Sequence, residues 1–302
     1  ARNMVILASS LEGNVPWRFL IDRQVFHAVI VAVEWFDFKE PIPRHELLFN
    51  AIGDADLCGD GLKIAERMAR DAGSPVINKP DAVMKTGRMQ NSERLGRIPG
   101  VIAPKVFMAP KPSPDAGEDP PLPFPLLLRA PGFHGGSHFV RVEDRKALNR
   151  EAGALPGDSL LFMEFLDCCS EEGLYRKFRV MSIDGRLYPI HLAISGQWKV
   201  HYFSSGMARN ADFRREEEAF LGDFDSYLGP KAIEALEGIS RTLDLDYCGI
   251  DFGLDREGNV LLFEANATMS LIPIGPEKEW EYRREPVSAA IEAAGNMFLA
   301  RL

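Results

Sequence analysis

Apolar positions along the chain follow two periods, one of strands and one of helices. Met4–Ala8 is a continuous apolar run ended by Ser9, Ser10 and Gly13, and Ala28–Val33 is a second run, richer in β-branched residues. Both predict buried strands of a parallel sheet. Leu62, Ala65, Met68 and Ala69 then recur at helical spacing, with Asp60 as the expected cap and Gly73 as the stop. Pro75-Val76-Ile77-Asn78 predicts another short strand, and the alternation makes the first ~95 residues a small α/β unit.

A stretch rich in Pro and acidic residues, from Pro110 to Pro125, predicts no regular structure. After it, Leu126-Leu127-Leu128-Arg129 predicts a strand that runs into a glycine loop, Gly132–His138. Further strands are expected at Ser159–Phe165, Lys177–Ile183, Leu187–Ile194 and Trp198–Phe203, with Asp184-Gly185 as a hairpin turn. Pro230 suits the first turn of a helix that buries Ile233, Leu236, Ile239 and Leu243; Pro286 does the same for a last helix with Val287, Ala290, Ile291, Ala294 and Phe298 inward. There is no internal repeat.

The chemistry concentrates near the end of the chain. Gly249-Ile250-Asp251 and Phe263-Glu264-Ala265-Asn266 flank the polar turn Asp255–Asn259, so an antiparallel hairpin would set Asp251 beside Glu264, with Asn266 on the same face two residues on. Three oxygen donors in one place suit Mg²⁺. Solvent-facing strand carboxylates are the alternative, but Ile250, Phe252, Leu261, Leu262 and Phe263 make both strands apolar, and a carboxylate there needs a partner. The backbone of the glycine loop can cradle phosphate, with Arg129 supplying charge. Lys177 and Arg179 leave one face of one strand; solvated surface is the default, and phosphate or carboxylate binding is the alternative. His191, Lys199 and His201 on the next strands could join that basic lining, with a surface or core position as the default for each taken singly.

Composition narrows the class. A chain of 302 residues with 46% hydrophobic content can bury a core and suggests two compact units. The net charge of −9 argues against nucleic acid and anionic membrane as partners. Cys58, Cys168, Cys169 and Cys248 form no C-x-x-C pair and are too sparse for a disulfide framework, so free thiols are expected. No apolar run approaches the roughly 20 residues of a membrane span, and no signal peptide is visible, which points to the cytoplasm. The start on Ala1, shortly before an apolar run, suggests a piece excised from a longer polypeptide.

In this order the signals resemble the ATP-grasp superfamily of carboxylate-amine ligases, in particular its glutathione synthetase and RimK-like branches. The resemblance covers nearly the whole chain. It implies an α/β (α+β) ATP-grasp fold: a pre-ATP-grasp α/β domain over residues 1–97, then a grasp domain over 98–302, divided into a nucleotide-covering part (98–165) and a metal and substrate part (166–302). Asp251, Glu264 and Asn266 match the family's metal hairpin at its spacing, and Met163-Glu164-Phe165-Leu166 looks like the hinge that takes the adenine, through Glu164, Phe165 and Leu166. Arg179 matches the arginine of the basic strand, with Lys177 beside it as a second catalytic candidate. Asn78-Lys79-Pro80 through Lys85 and Arg88 is similar to the segment that brings in a phosphate-contacting lysine. Arg129, with Gly135, Gly136 and Ser137 of the loop, would complete the nucleotide site. Two positions depart from the family. Arg129 stands where a lysine is usual, replacing a point charge by a planar fork, and Gly249 stands where the D-alanine ligase branch carries an arginine, which argues against that branch.

The resemblance implies ATP and Mg²⁺, small-molecule or peptide carboxylate and amine substrates, and amide or peptide bond formation through an acyl phosphate. A non-catalytic nucleotide-binding module, or a kinase that phosphorylates a small molecule, are the alternatives. A homo-oligomer is a modest expectation on the same ground.

Overall fold

In the computed structural model, which describes residues 1–112, 119–133 and 136–302, the strand β1 (Arg2–Ala8) is central to a parallel sheet with β2 (Phe26–Ala32), β3 (Leu47–Asn50) and β4 (Val76–Ile77), in the order β2-β1-β3-β4. Met4 to Ala8 are buried as expected. The second strand corrects the reading of two buried strands: β2 forms the sheet edge, and its Ile30 is 57% exposed. The four residues of β3 are too short a run for a period to register, and they went unpredicted. The helix Gly59–Asp71 buries Leu62, Ala65 and Met68; it starts after Cys58, so Asp60 lies inside the first turn and pairs with Lys63 instead of capping. Past the helix, Gly73 adopts φ +65°, a conformation that favours glycine.

After β5 (Val101–Ile102), a second sheet is built from β6 (Val106–Pro110), β7 (Leu126–Arg129), β8 (Phe139–Val142) and β9 (Ser159–Glu164), all antiparallel in the order β6-β9-β7-β8. The strand period of two gives it two apolar faces. Leu126, Leu128, Leu160 and Phe162 pack with Leu148 and Ala152 of the helix Arg145–Ala154, whose start is capped by Asp144 accepting from Ala147 N–H. On the opposite face, Val106, Leu127, Leu161 and Met163 cluster with Phe139, Phe165 and Trp198.

The third sheet holds β10 (Tyr175–Ile183), β11 (Arg186–Ser195), β12 (Tyr247–Leu254) and β13 (Val260–Asn266), in the order β11-β10-β12-β13-β5, antiparallel except where β5 joins β13. The helices Pro230–Leu243 and Arg284–Ala300 begin near their prolines, as their sequence predicts, and bury Leu236, Ile239, Leu243, Val287, Ala290, Ala294 and Phe298. The expected strand Trp198–Phe203 is not one. That segment turns back on itself, with Ser204 N–H and Ser205 N–H both donating to the His201 carbonyl, so its backbone bonds are spent locally and not on a neighbouring strand.

One buried residue ties the first sheet to the third. Asn78, at φ 53°, accepts from Tyr247 N–H at 2.9 Å and donates from Nδ2 to the Tyr247 carbonyl at 2.9 Å, while its own carbonyl accepts from Asn50. Asn tolerates this left-handed conformation better than other non-glycine residues, which accounts for its presence at the end of β4.

Candidate active site

The register of the third sheet assembles a charged cluster from residues far apart in sequence. Arg179 of β10 lies opposite Asp251 of β12, and Asp251 opposite Glu264 of β13, with an irregularity in the ladder just after Asp251. Asp251 is 2% exposed, and its carboxylate accepts from Lys177 Nζ at 2.8 Å and from Arg179 Nε and Nη2 at 2.6 and 2.8 Å. Burial pushes its carboxyl up, but the two cations and their hydrogen bonds outweigh that and hold it well below the usual carboxylate range. Glu264 accepts from Arg88 Nη2 at 2.9 Å, and Arg88 also donates to Asp56 at 2.9 Å. Burial lowers the Arg88 pKa, and the surrounding acids Glu264, Asp56 and Asp54 more than restore it.

This cluster lies in the floor of a cavity of about 270 Å³ between the second and third sheets. The hinge candidates Glu164, Phe165 and Leu166 line it, as do Arg88, Arg129, Lys177, Arg179, Asp251 and Glu264. Leu127, Met163 and Leu262 supply apolar wall, and Trp198 closes one side, its ring edge-on to Phe139 and Phe165 at 5.5 and 6.1 Å. The sequence reads Trp198 as the start of a strand and gives no sign of a place in the site, because it sits in an irregular turn. Glu164 is oriented by Lys105 N–H, which donates to Oε2 at 3.0 Å.

Arg129 is 9% exposed and donates to the Phe133 carbonyl of the glycine loop, so the guanidinium fork holds the loop to the strand. Burial and then the neighbouring Arg88 push its pKa down to about 10, which leaves it charged at neutral pH. Gly136 has φ +77°, and a Cβ there would come within 3.0 Å of the Lys199 side chain. The positive φ favours glycine, and the open space above it is taken by Lys199, which enters the cavity and donates to the Phe139 carbonyl at 3.1 Å.

Not every expected residue converges here. Lys85 is exposed and pairs with Asp81 at 3.4 Å, one helical turn away, and does not line the cavity. Ser137 is exposed at the end of the loop, and Gly135 lies outside the described residues. Asn266 lines a small adjoining pocket with Arg88, Asn91 and Glu264, where its Oδ1 accepts from Thr268 N–H and Oγ1 at 2.9 and 2.8 Å.

No family model and no curated protein matches the sequence. Solved structures match it over almost its whole length. A D-alanine–D-alanine ligase from Bacillus anthracis, complexed with ATP, aligns at TM-score 0.58 and 12% identity, covering 100% of this chain and 96% of that one. A RimK domain ATP-grasp protein from Sphaerobacter thermophilus aligns at TM-score 0.56 and 16% identity, covering 98% and 99%. The chain has the ATP-grasp fold. An L-amino acid ligase from Bacillus licheniformis shares that fold at TM-score 0.51 and 15% identity, covering 88% of this chain and 67% of that one.

Within the ATP-grasp fold, position 249 shows why an arginine is absent. A Cβ at Gly249 would collide with the Met269 side chain, so no larger residue fits without rearrangement. The residues also bear on a metal. Among the described residues no three His, Cys, Asp or Glu side chains form a metal cluster, and the donor set in place is the two carboxylates Asp251 and Glu264, because both lone pairs of the Asn266 Oδ1 already accept from Thr268. That set is short for an all-protein site and suited to Mg²⁺, which takes one or two carboxylates and fills its octahedron with phosphate oxygens and water. Glu264 Oε2 accepts no hydrogen bond among the described residues. Asp251 accepts three, of the about four lone-pair sites a carboxylate offers. The residues therefore fit a magnesium ion that arrives on a phosphate.

A second buried carboxylate lies outside this cavity. Glu217 accepts from Tyr202 Oη at 3.0 Å, Tyr282 Oη at 2.6 Å and Leu192 N–H at 3.2 Å, with Arg283 Nε 3.4 Å away. Nothing in its sequence context, a run of acidic residues on a helix, distinguished it from a solvated glutamate.

Proposed function

We propose that the protein is an ATP-dependent ligase that joins a carboxylate to an amine through an acyl phosphate. The observation that carries this reading is the convergence of five cations, Arg88, Arg129, Lys177, Arg179 and Lys199, with Asp251 and Glu264 in one cavity whose remaining wall is largely apolar. A polyphosphate needs the cations, and an adenine needs the apolar slot by Met163, Phe165 and Leu262.

In this reading Glu164 and the backbone at Phe165 and Leu166 hold the adenine edge, and Arg129 and Lys199 face the phosphates beneath the glycine loop. Arg88 and Glu264 sit at the far end of the chain of phosphates. Mg²⁺ held by Glu264 and Asp251, joined by Asn266 once its Oδ1 gives up the bonds from Thr268, would supply charge neutralisation to phosphate oxygens. Lys177 and Arg179, locked to Asp251, present fixed donors where the γ-phosphoryl group meets the carboxylate, so they need little reorganisation as charge moves during transfer. The amine then attacks the mixed anhydride and phosphate leaves. Wild-type protein is expected to release ADP only when a suitable carboxylate is present, and Glu264→Ala to abolish that release. Unchanged turnover in Glu264→Ala would overturn the assignment; ADP release without incorporation of an amine would indicate a kinase, and ATP binding without turnover a non-catalytic module.

A further inference from the structure

A second chamber, of about 300 Å³, adjoins the first and shares Lys177, Arg179 and His201 with it. Away from that shared edge its wall is apolar and aromatic: Ile190, Tyr202, Phe203, Ile274, Trp280 and Val287. Among the described residues that line it there is no aspartate or glutamate. Arg283 is there too, its guanidinium 4.2 Å from the Tyr202 ring centroid.

The charges select what enters. Lys177 and Arg179 share the one carboxylate of Asp251, so the trio keeps one positive charge uncompensated at the shared edge. A single carboxylate balances it. A second carboxylate on the same molecule would have only Arg283 to meet, and Arg283 already lies beside Glu217 at 3.4 Å. An ammonium group would meet a lining whose net charge is positive and from which no acid projects, a repulsive arrangement in a partly desolvated space. The rest of the chamber asks for apolar surface with some polar contact. His191, 7% exposed, lines it with Nε2 buried and unpaired, and Phe203 stands 84% exposed at its edge. An apolar ring left in water is improved by an occupant.

We propose that this chamber is the carboxylate-substrate subsite, and that it selects a monocarboxylic acid with a compact apolar or aromatic body and no free α-ammonium group. This rests on the ligase reading above, since the acid's carboxylate would lie at the edge where the two cavities meet. The amine approaches from elsewhere. In the reaction, a carboxylate oxygen of the acid takes the γ-phosphoryl group and the bond to ADP breaks. An added nucleophile then displaces phosphate and loses a proton to solvent.

Hydroxylamine can serve as that nucleophile, so hydroxamate formation tests the acid with no knowledge of the natural amine. The full chain, with ATP and Mg²⁺, is offered 3-phenylpropionate, L-phenylalanine, succinate and acetate. The expected result is a KM for 3-phenylpropionate at least about tenfold below those of the other three acids. Trp280→Ala should raise that KM about tenfold with the KM for ATP unchanged. Ile274→Asp, which places an acid in the chamber, should shift the preference toward L-phenylalanine, and an unchanged melting temperature checks that each variant folds. Equal or better use of L-phenylalanine or succinate by the wild type would overturn the substrate class while leaving the ligase reading intact. Calorimetric binding of 3-phenylpropionate, weakened by Trp280→Ala, without hydroxamate from any acid would overturn the ligase reading and leave the chamber's selectivity standing. No binding of 3-phenylpropionate and no change in either variant would overturn the chamber assignment.

Discussion

Asp251 and Glu217 are both buried carboxylates bonded to residues of the third sheet, and their surroundings treat them in opposite ways. Asp251 has two cations in direct contact, so its carboxyl is held far down despite burial. Glu217 is surrounded by two tyrosine hydroxyls, one backbone N–H and a single more distant arginine; burial dominates, and its pKa is raised. Equal exclusion from water therefore does not fix the direction in which a carboxyl shifts, and the nearest fixed charges decide it. The difference matches the positions. Asp251 anchors the cations of the proposed phosphoryl-transfer site, whereas Glu217 braces Tyr202 in the aromatic wall of the second chamber and is itself held by Tyr282.

The comparison breaks most visibly at Asp251. Replacing it by alanine leaves the half-buried Lys177 and Arg179 without their counter-charge and should cost roughly 3 kcal/mol in urea unfolding, at the low end for a broken buried pair because both cations keep some contact with water. A loss below about 1 kcal/mol would mean that the cations find other partners. Glu217→Gln keeps the shape and one acceptor oxygen but removes the charge beside Arg283; about 1–3 kcal/mol is expected by the same measurement. If it cost as much as Asp251→Ala, Glu217 would be a tightly paired anion like its counterpart. Tyr282→Phe removes one donor to Glu217, and about 1 kcal/mol in unfolding free energy is expected. The smallest effect belongs to Lys85→Ala. Its exposed pair with Asp81 should be worth less than about 0.5 kcal/mol, and calorimetric ATP affinity should not change. A lost affinity would return Lys85 to the nucleotide site suggested by the resemblance.

How much of this was legible in the sequence depended on the length over which each signal repeats. The hairpin of Asp251 and Glu264 could be read because two apolar strands bracket a polar turn, and a period of two then fixes which residues share a face. The last two helices were readable for the same reason, with prolines marking their starts. Short elements such as β3 and β8 gave too few residues for a period, and the turn at Trp198–Phe203 looked like a strand because its residues suit one. Its backbone bonds close locally, a choice made by the surrounding packing.

The sequence alone determined the order of the elements, the pairing of the acidic hairpin and the alternation that puts Lys177 and Arg179 on one face. These depend on near neighbours and on the fixed geometry of strands. Only the tertiary structure decided that both cations close on Asp251, that Arg88 reaches Glu264 across 176 positions while Lys85 stays outside, and that Glu217 is buried among tyrosines. Those outcomes depend on which side chains meet once the sheets pack, and on the cost of leaving any of those charges unpaired away from water.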